Sequence, residues 1–302
     1  MAIDSRKLIN SAFSIKLASF LCQTLPPNQG LWLAYFIADR FAAQKQWKLV
    51  QATRANQRVV LGENVDEETL DIAVRDVFRY IAYSTYDLYH NLNNIKAIQK
   101  RVVISSDVQH LINRPTFAER GLMLVALHMS NFDFVAQAVF PKGLKALVLT
   151  LPELAGGYME QFLLRQKSGM EILPASMSTL RQAIEHLQAG GLVITGIDRP
   201  DEASDYRPRF FGKPASLPIH HIYLAIKSKV PIVVAAIFLK QDKKYHVNFS
   251  EPIEMLPYAD RRSEILYNTE RVLQVAESFI RLAPQQWTMT LPVWPDIKDQ
   301  AA

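Results

Sequence analysis

Short apolar runs alternate with longer amphipathic segments from Arg101 onwards, and this alternation restricts the possible folds more than any other feature. Seven segments are strand candidates: 102–105, 122–127, 146–149, 171–173, 192–197, 232–238 and 245–249. Helical patterns occur at 107–119, 131–139, 155–168, 176–189, 218–229 and 260–282. The alternation predicts an α/β fold with a mostly parallel central sheet of about seven strands and helices on both faces.

The first hundred residues have a different pattern and are predicted to be all helical. Residues 46–62 form a polar, basic helical segment, and residues 66–89 have apolar side chains at helical spacing. We therefore expect N-terminal helices over 1–45, followed by the α/β part over 46–302, within a single domain overall.

The segments 5–25 and 31–38 are apolar helices with two open interpretations. They either pack on the core or lie in a membrane interface, with Arg6 and Lys7 at the lipid head groups and Trp32 and Phe36 as interfacial aromatics. No uninterrupted apolar run approaches the ~18 residues that span a bilayer. A cleavable signal peptide also fits poorly, because Lys16 interrupts the apolar stretch.

Composition argues against several classes of protein. The net charge is +5, but no dense Lys/Arg run or basic patch with interleaved aromatics occurs, so no nucleic-acid partner is expected. The single cysteine, Cys22, excludes an internal disulfide and suggests a reducing compartment. No Cys/His cluster has zinc-ligand spacing, and the glycine-rich nucleotide motifs and the serine-hydrolase elbow are absent. We expect no metal and no bound cofactor.

His128 follows the apolar run 122–127, and Asp133 follows five residues later. Ser130 or Asn131 is a candidate helix cap, which predicts His128 at the carboxyl end of a strand and Asp133 in the first helical turn. Asp133 would then fold back onto the imidazole and orient it as a general base. The local sequence leaves open whether His128 is catalytic or only a hydrogen-bonded residue at a strand end.

Another His-x4-Asp/Glu pair, at His246 and Glu251, has no helix start between its residues. It is predicted to be a coincidence on a half-exposed strand.

The segment after Ile197 also carries chemical information. Asp198 follows a predicted buried strand and is expected at the same ligand-binding edge as His128. Arg199, Arg207, Arg209 and Lys213 gather positive charge there, which suits phosphate or carboxylate. The alternative is a solvated loop in which Asp198 pairs with Arg199. The same loop contains two aromatic residues and a glycine, at 210–212, and a solvated loop has little reason to expose the aromatic rings.

These stretches resemble motifs of one enzyme family. Residues 128–133 resemble the His-x4-Asp/Glu signature of glycerolipid and lipid A acyltransferases. Residues 198–199, followed by Phe-Phe-Gly-Lys-Pro-Ala at 210–215, resemble two blocks of the lipid A biosynthesis acyltransferase family.

Further matches extend the resemblance from about residue 50 to residue 290. Arg165 resembles that family's arginine before a glycine, and residues 280–287 are similar to its Ile-Arg-x-x-Pro-x-Gln-Trp ending. The polar helix containing residues 53–62 also lies where the family has one. Asp133, at the end of the His-x4-Asp motif, and the Asp198-Arg199 pair resemble bacterial phosphatidylinositol mannoside acyltransferases more closely than lipid A enzymes.

The chain departs from the family pattern at two places. Ser130 replaces the usual glycine before Asn131, and residues 287–294 lack the usual basic side chains. The first change affects a loop backbone, and the other removes a contact that a phosphorylated acceptor would use.

The resemblance implies a peripheral membrane acyltransferase at the cytoplasmic face of the cell membrane, bound through its N-terminal helices. It would transfer a fatty acyl chain from acyl-CoA or an acyl carrier protein to a hydroxyl of a glycolipid. His128 and Asp133 would be catalytic, and the implied substrate-binding residues are Ser130, Asn131, Arg165, Asp198, Arg199, Phe211, Gly212 and Lys213. The alternatives are a lysophospholipid acyltransferase and a lipid-binding paralogue without turnover.

Overall fold

The structure is a computed structural model that describes residues 12–92, 94–105, 120–142, 145–150, 162–163, 165–166 and 170–297. Its N-terminal part is helical, as predicted. The helices are α1 (Ala12–Thr24), α2 (Pro27–Ala42), α3 (Lys48–Leu61), α4 (Glu67–Asn91) and the short α5 (Ile95–Lys100). Prolines at 26 and 27 separate α1 from α2, and the Asp66 side chain caps α4 by accepting from Thr69 N–H.

The remaining chain builds a seven-stranded sheet. Its strands are β1 (Val102–Ile104), β2 (Leu122–Ala126), β3 (Leu147–Thr150), β4 (Glu171–Pro174), β5 (Leu192–Gly196), β8 (Ile232–Leu239) and β9 (Tyr245–Phe249). The spatial order is β1-β9-β8-β2-β5-β3-β4, and β8–β9 is the antiparallel pair in an otherwise parallel sheet. The predicted α/β class, with about seven mostly parallel strands, is confirmed.

Helices cover both faces of this sheet. On one face α4, α5 and α6 (Phe132–Val139) pack against β8 and β9. On the other face α7 (Met177–Gln188), α8 (His220–Ser228) and α9 (Arg261–Leu282) form the largest core cluster with the central strands. Period-2 alternation assigns β2 side chains to the two faces in turn, so neighbouring residues of one strand contribute to different clusters.

Two elements were not expected from the sequence. The helix α5 had no predicted counterpart, and a small hairpin replaces the predicted loop, with strands β6 (Arg209–Phe210) and β7 (Lys213–Pro214). The predicted helix over 107–119 and most of that over 155–168 lie outside the described residues.

The C-terminal segment 284–293 is fixed by polar side chains of α3. The Asn56 amide donates to the carbonyl oxygens of Met289 (3.0 Å) and Leu291 (2.7 Å), and Gln57 donates to that of Pro284 at 3.0 Å. Both amide side chains are buried, so these bonds replace water at the backbone of the segment. The polar helix noted in the sequence therefore positions the segment 284–293.

The helices α1 and α2 pack on α4 and still expose large apolar side chains. Gly30 of α2 contacts the Tyr86 ring closely, and the ring of His90 hydrogen-bonds the carbonyl of Cys22 at 2.7 Å. Phe20 is 62% exposed and Trp32 is 65% exposed. Of the helices the structure describes, none combines the length and apolar character needed to cross a bilayer.

Candidate active site

The candidate site lies where the strand order reverses. The strands β2 and β5 are neighbours in the sheet. The connection from β2 leads towards one edge of the sheet, to β3, and the connection from β5 leads towards the opposite edge, to β8. Such a switch point opens a crevice at the carboxyl ends of the two strands, where α/β proteins bind ligands.

The register between these strands brings His128 and Asp198 together. Ala126 of β2 pairs with Gly196 of β5 in a parallel ladder. His128 and Asp198 each lie two residues further along, so both emerge on the same face at the same height. The oxygen Oδ1 of Asp198 is 2.6 Å from Nδ1 of His128.

Asp198 is fully buried, and both of its oxygens are occupied. Its Oδ2 accepts from the backbone N–H of His128 and from the indole N–H of Trp287, each at 2.8 Å. Burial alone would raise the pKa of Asp198, but the adjacent His128 ring and these donors outweigh burial and hold the pKa below its usual value. The carboxylate is therefore charged at neutral pH, and the alternative of a solvated Asp198–Arg199 pair is wrong.

This geometry leaves the other nitrogen of the His128 ring available. Nδ1 faces a carboxylate, so in the neutral ring the proton is held on Nδ1 and Nε2 carries the lone pair. The His128 side chain is 28% exposed, and Nε2 has no hydrogen-bond partner among the described residues. A Cβ on Gly196 would lie 3.1 Å from Cε1 of the ring, so the glycine permits its close approach to β5.

Asp133 makes a different contact from the expected one. Its two oxygens accept from Nε and Nη2 of Arg165, at 2.6 and 3.0 Å. Burial disfavours the charge of Arg165, but Asp133 outweighs burial and raises the pKa of Arg165. The Arg165 guanidinium lies 5.2 Å from the Phe132 ring centre, and Phe132 meets His128 edge-on at 5.4 Å. The expected Asp133–His128 hydrogen bond is replaced by an Asp198–His128 hydrogen bond, and the Asp133–Arg165 pair supports Phe132.

Ser130 and Asn131 fix the turn between His128 and α6. Ser130 has φ 53°, the left-handed region that a glycine adopts at lower cost, and its N–H donates to the carbonyl of Gln286 at 2.8 Å. The Asn131 side chain caps α6 by accepting from Phe134 N–H at 3.2 Å and donates to the carbonyl of Ser84 at 2.8 Å.

The remaining predicted site residues belong to the segment after β5. Arg199 is half-buried and directly follows Asp198. Phe211 and Gly212 both have positive φ and form the two-residue turn of the β6–β7 hairpin. Their contacts, and that of Lys213, lie away from His128: Phe211 N–H donates to Glu277 at 2.5 Å, and Lys213 pairs with Glu63. A substrate role for these residues stays a prediction.

Two residues that contact the site could not be identified from the sequence. Trp287 lies in the stretch 280–287 that resembles a family motif, but only the structure shows that its indole N–H contacts Asp198. Phe132 carries no distinctive sequence signal, although it separates His128 from Arg165. The position of Trp287 depends on how the end of the chain folds back, and no local sequence pattern reports that.

The fold and site define an α/β protein with a histidine–carboxylate pair, His128 and Asp198, at a topological switch point. The profile of the family described as bacterial lipid A biosynthesis acyltransferase matches residues 12–295. Because this match covers most of the 302 residues, the chain belongs to that family and is an acyltransferase. A comparison with curated proteins found no match.

Proposed function

We propose that this acyltransferase moves a fatty acyl chain from an acyl thioester, acyl-CoA or acyl carrier protein, to a hydroxyl of a glycolipid at a membrane surface. The observation that carries the proposal is the buried, charged Asp198 on Nδ1 of His128, which leaves Nε2 of the partly exposed ring available as a base. The acceptor would resemble a phosphatidylinositol mannoside or lipid A, and the enzyme would act at the cytoplasmic face of the membrane.

In the proposed reaction, Nε2 of His128 takes the proton of the acceptor hydroxyl as its oxygen attacks the thioester carbonyl. The C–O bond forms, and the carbonyl π electrons move to oxygen to give a tetrahedral oxyanion. When the C–S bond breaks, the departing thiolate receives the same proton from the imidazolium, so the products are an ester and a thiol. Asp198 stabilises the imidazolium between these steps.

We assign the oxyanion to donors in the first turn of α6. The initial N–H groups of a helix have no intrahelical partner and favour negative charge. The N–H of Phe134 is occupied by Asn131, so the proposed donors are those of Phe132 and Asp133. Arg165 supports this turn through its two hydrogen bonds to Asp133.

The apolar surface of α1 and α2 supports the membrane part of the proposal. Leu17, Phe20, Trp32, Phe36 and Ile37 are all exposed. Trp32 and Phe36 stack with ring centres 5.4 Å apart, and Arg40 lies over Phe36 at 5.1 Å. Exposed aromatics beside a cation suit a lipid interface, where the rings and the head groups meet.

The test is acyl transfer by the purified protein. Acyl-CoA and acyl carrier protein thioesters would each be supplied with a mannosylated phosphoinositide, a lipid A precursor or a lysophospholipid, and thiol release and product mass would be measured. Thiol release that requires a glycolipid and is lost in His128→Ala supports the proposal. Transfer only to the lysophospholipid identifies the alternative enzyme, and the absence of transfer to any acceptor contradicts the proposed function. Lipid mass spectrometry of cells lacking the protein identifies the natural acceptor.

A further inference from the structure

The segment after α9 runs beside the loop that carries His128. Met129 and Trp287 form an antiparallel bridge, and Ser130 N–H donates to the carbonyl of Gln286 at 2.8 Å. The N–H and the hydroxyl of Thr288 both donate to the carbonyl of His128, each at 2.9 Å. Backbone hydrogen bonds on both sides of the bridge therefore hold residues 128–130 against residues 286–288.

This segment brings one side chain to the histidine–carboxylate pair. Trp287 is fully buried, and its indole N–H donates to Oδ2 of Asp198 at 2.8 Å. The Phe210 ring lies edge-on to the indole, with centres 6.1 Å apart, and Trp294 lies edge-on at 6.2 Å. Packing on two sides fixes the direction in which the N–H points.

We propose that Trp287 is a positioning residue of the acyltransferase: its indole N–H holds the Asp198 carboxylate in place and draws part of its negative charge away from His128. The pH range in which His128 acts as a base then depends on Trp287. This inference rests on the proposed function only in its kinetic test, which requires acyl transfer.

The physical reason is competition for the charge of one carboxylate. Hydrogen bonds to a charged group are stronger than those between neutral groups, and each donor to Oδ2 reduces the charge felt at Oδ1. Without the indole donor, Oδ2 keeps only the backbone N–H of His128. The protonated ring is then attracted more strongly, so the ring holds its additional proton to a higher pH.

Few other charged groups face this pair in the described residues. The Asp133–Arg165 pair lies beyond Phe132 and is internally balanced. Arg199 adjoins Asp198 in the sequence, and its positive charge is present in both the wild type and the Trp287 variant. The pH dependence of the Trp287 variant therefore reports the lost indole donor.

The chain supplies a matched control within the same aromatic cluster. Trp294 is also buried, but its indole N–H donates to the neutral carbonyl of Phe210 at 3.2 Å. Trp287→Phe and Trp294→Phe each remove one indole from the cluster, and only the first removes a donor from Asp198. Any effect of a smaller aromatic ring on packing should occur in both variants.

The experiment measures kcat/KM from pH 5 to 9 for the wild type and both variants. For Trp287→Phe we expect the acid limb to move to higher pH by about one unit, which is about a tenfold loss on that limb. For Trp294→Phe the limb should stay in place. Equal movement in both variants, or none in either, would overturn the inference. If Trp287→Phe does not fold, benzothienylalanine at position 287 keeps the ring volume, lacks the donor and should give the same movement.

An independent measurement separates this inference from the proposed function. The protonation of the His128 ring is followed by nitrogen-15 NMR, with His128→Gln as the assignment control, and needs no substrate. A higher midpoint in Trp287→Phe alone supports the inference even if no acyl transfer is found. An unchanged midpoint overturns it even if the enzyme transfers acyl groups.

Discussion

Replacing Asp198 by asparagine tests which carboxylate orients the ring of His128, the proposed base. Oδ2 of Asp198 has two N–H donors, so the asparagine oxygen should occupy that position and its NH2 group should face Nδ1 of His128. The ring would then have to accept at Nδ1 and carry its proton on Nε2, which is the tautomer that cannot act as a base. We expect kcat to fall by about 10⁴-fold, the size of loss that the equivalent change causes in a serine-protease triad, or about 5.4 kcal/mol.

Asp133→Asn is the matched comparison, because it makes the same chemical change at the other candidate carboxylate. The amide keeps one acceptor for Arg165 and loses the other, while the His128 tautomer is untouched. We expect kcat to fall by no more than about tenfold and the free energy of unfolding to fall by about 1–3 kcal/mol.

Single-turnover acyl transfer and thermal unfolding followed by circular dichroism measure the two effects. Asp198→Asn is nearly isosteric and keeps both donors at its oxygen, so the variant should remain folded, with the melting temperature lowered by the loss of the carboxylate charge. If folded Asp133→Asn loses more turnover than folded Asp198→Asn, the reasoning from the ring contacts is wrong.

Four further outcomes are expected. Arg199→Lys should raise the KM for the lipid acceptor more than that for the acyl donor, because lysine cannot reproduce the planar fork of arginine; equal effects, or none, would remove Arg199 from the acceptor site. Sedimentation with anionic liposomes should be lost on deletion of residues 1–25 and reduced in Trp32→Ser. The control Leu282→Ser removes another exposed apolar side chain, 73% exposed, and should bind liposomes as the wild type does. Gly196→Ala should lower kcat by about tenfold with the fold intact, because the new methyl group displaces the His128 ring; wild-type turnover would contradict the close approach. His221 is fully buried, and neither ring nitrogen has a hydrogen-bond partner in the part of the chain that the structure describes. Burial holds its pKa well below 6.5, so protonation of the unfolded chain destabilises the protein as the pH falls below about 6.5. Denaturant titrations should show a smaller loss of stability between pH 6.5 and 5 in His221→Phe, with His220 still contributing, and an unchanged loss would refute this assignment.

The fold class could be predicted because its signal is local. Most of the seven strands are short apolar runs, and the helices predicted between all of them except the last two require a largely parallel sheet. The order of the strands could not be predicted, because no residue of β2 indicates that β5 rather than β3 lies beside it. The β6–β7 hairpin was missed because its strands are two residues long and its turn depends on a non-glycine residue, Phe211, with positive φ.

The edge of the site was predicted, but its contacts were not. His128 and Asp198 were both expected at the carboxyl ends of buried strands, and they lie there. Strand register has no local sequence signal, and only the pairing of Ala126 with Gly196 reveals that the two side chains stand at equal height. Without that information, the nearer carboxylate at Asp133 was the reasonable partner for the ring.

The spacing of the His-x4-Asp motif has a structural explanation in this chain. Asp133 lies in the first turn of α6, where its negative charge favours the helix N-terminus, and both its oxygens hold Arg165. Arg165 in turn lies over the Phe132 ring, which meets the edge of His128. Asp133 lies five residues after His128, whereas Asp198, the carboxylate that contacts the His128 ring, lies 70 residues after it and just beyond β5. The motif carboxylate thus contacts Arg165, and Asp198 is the carboxylate that contacts the His128 ring.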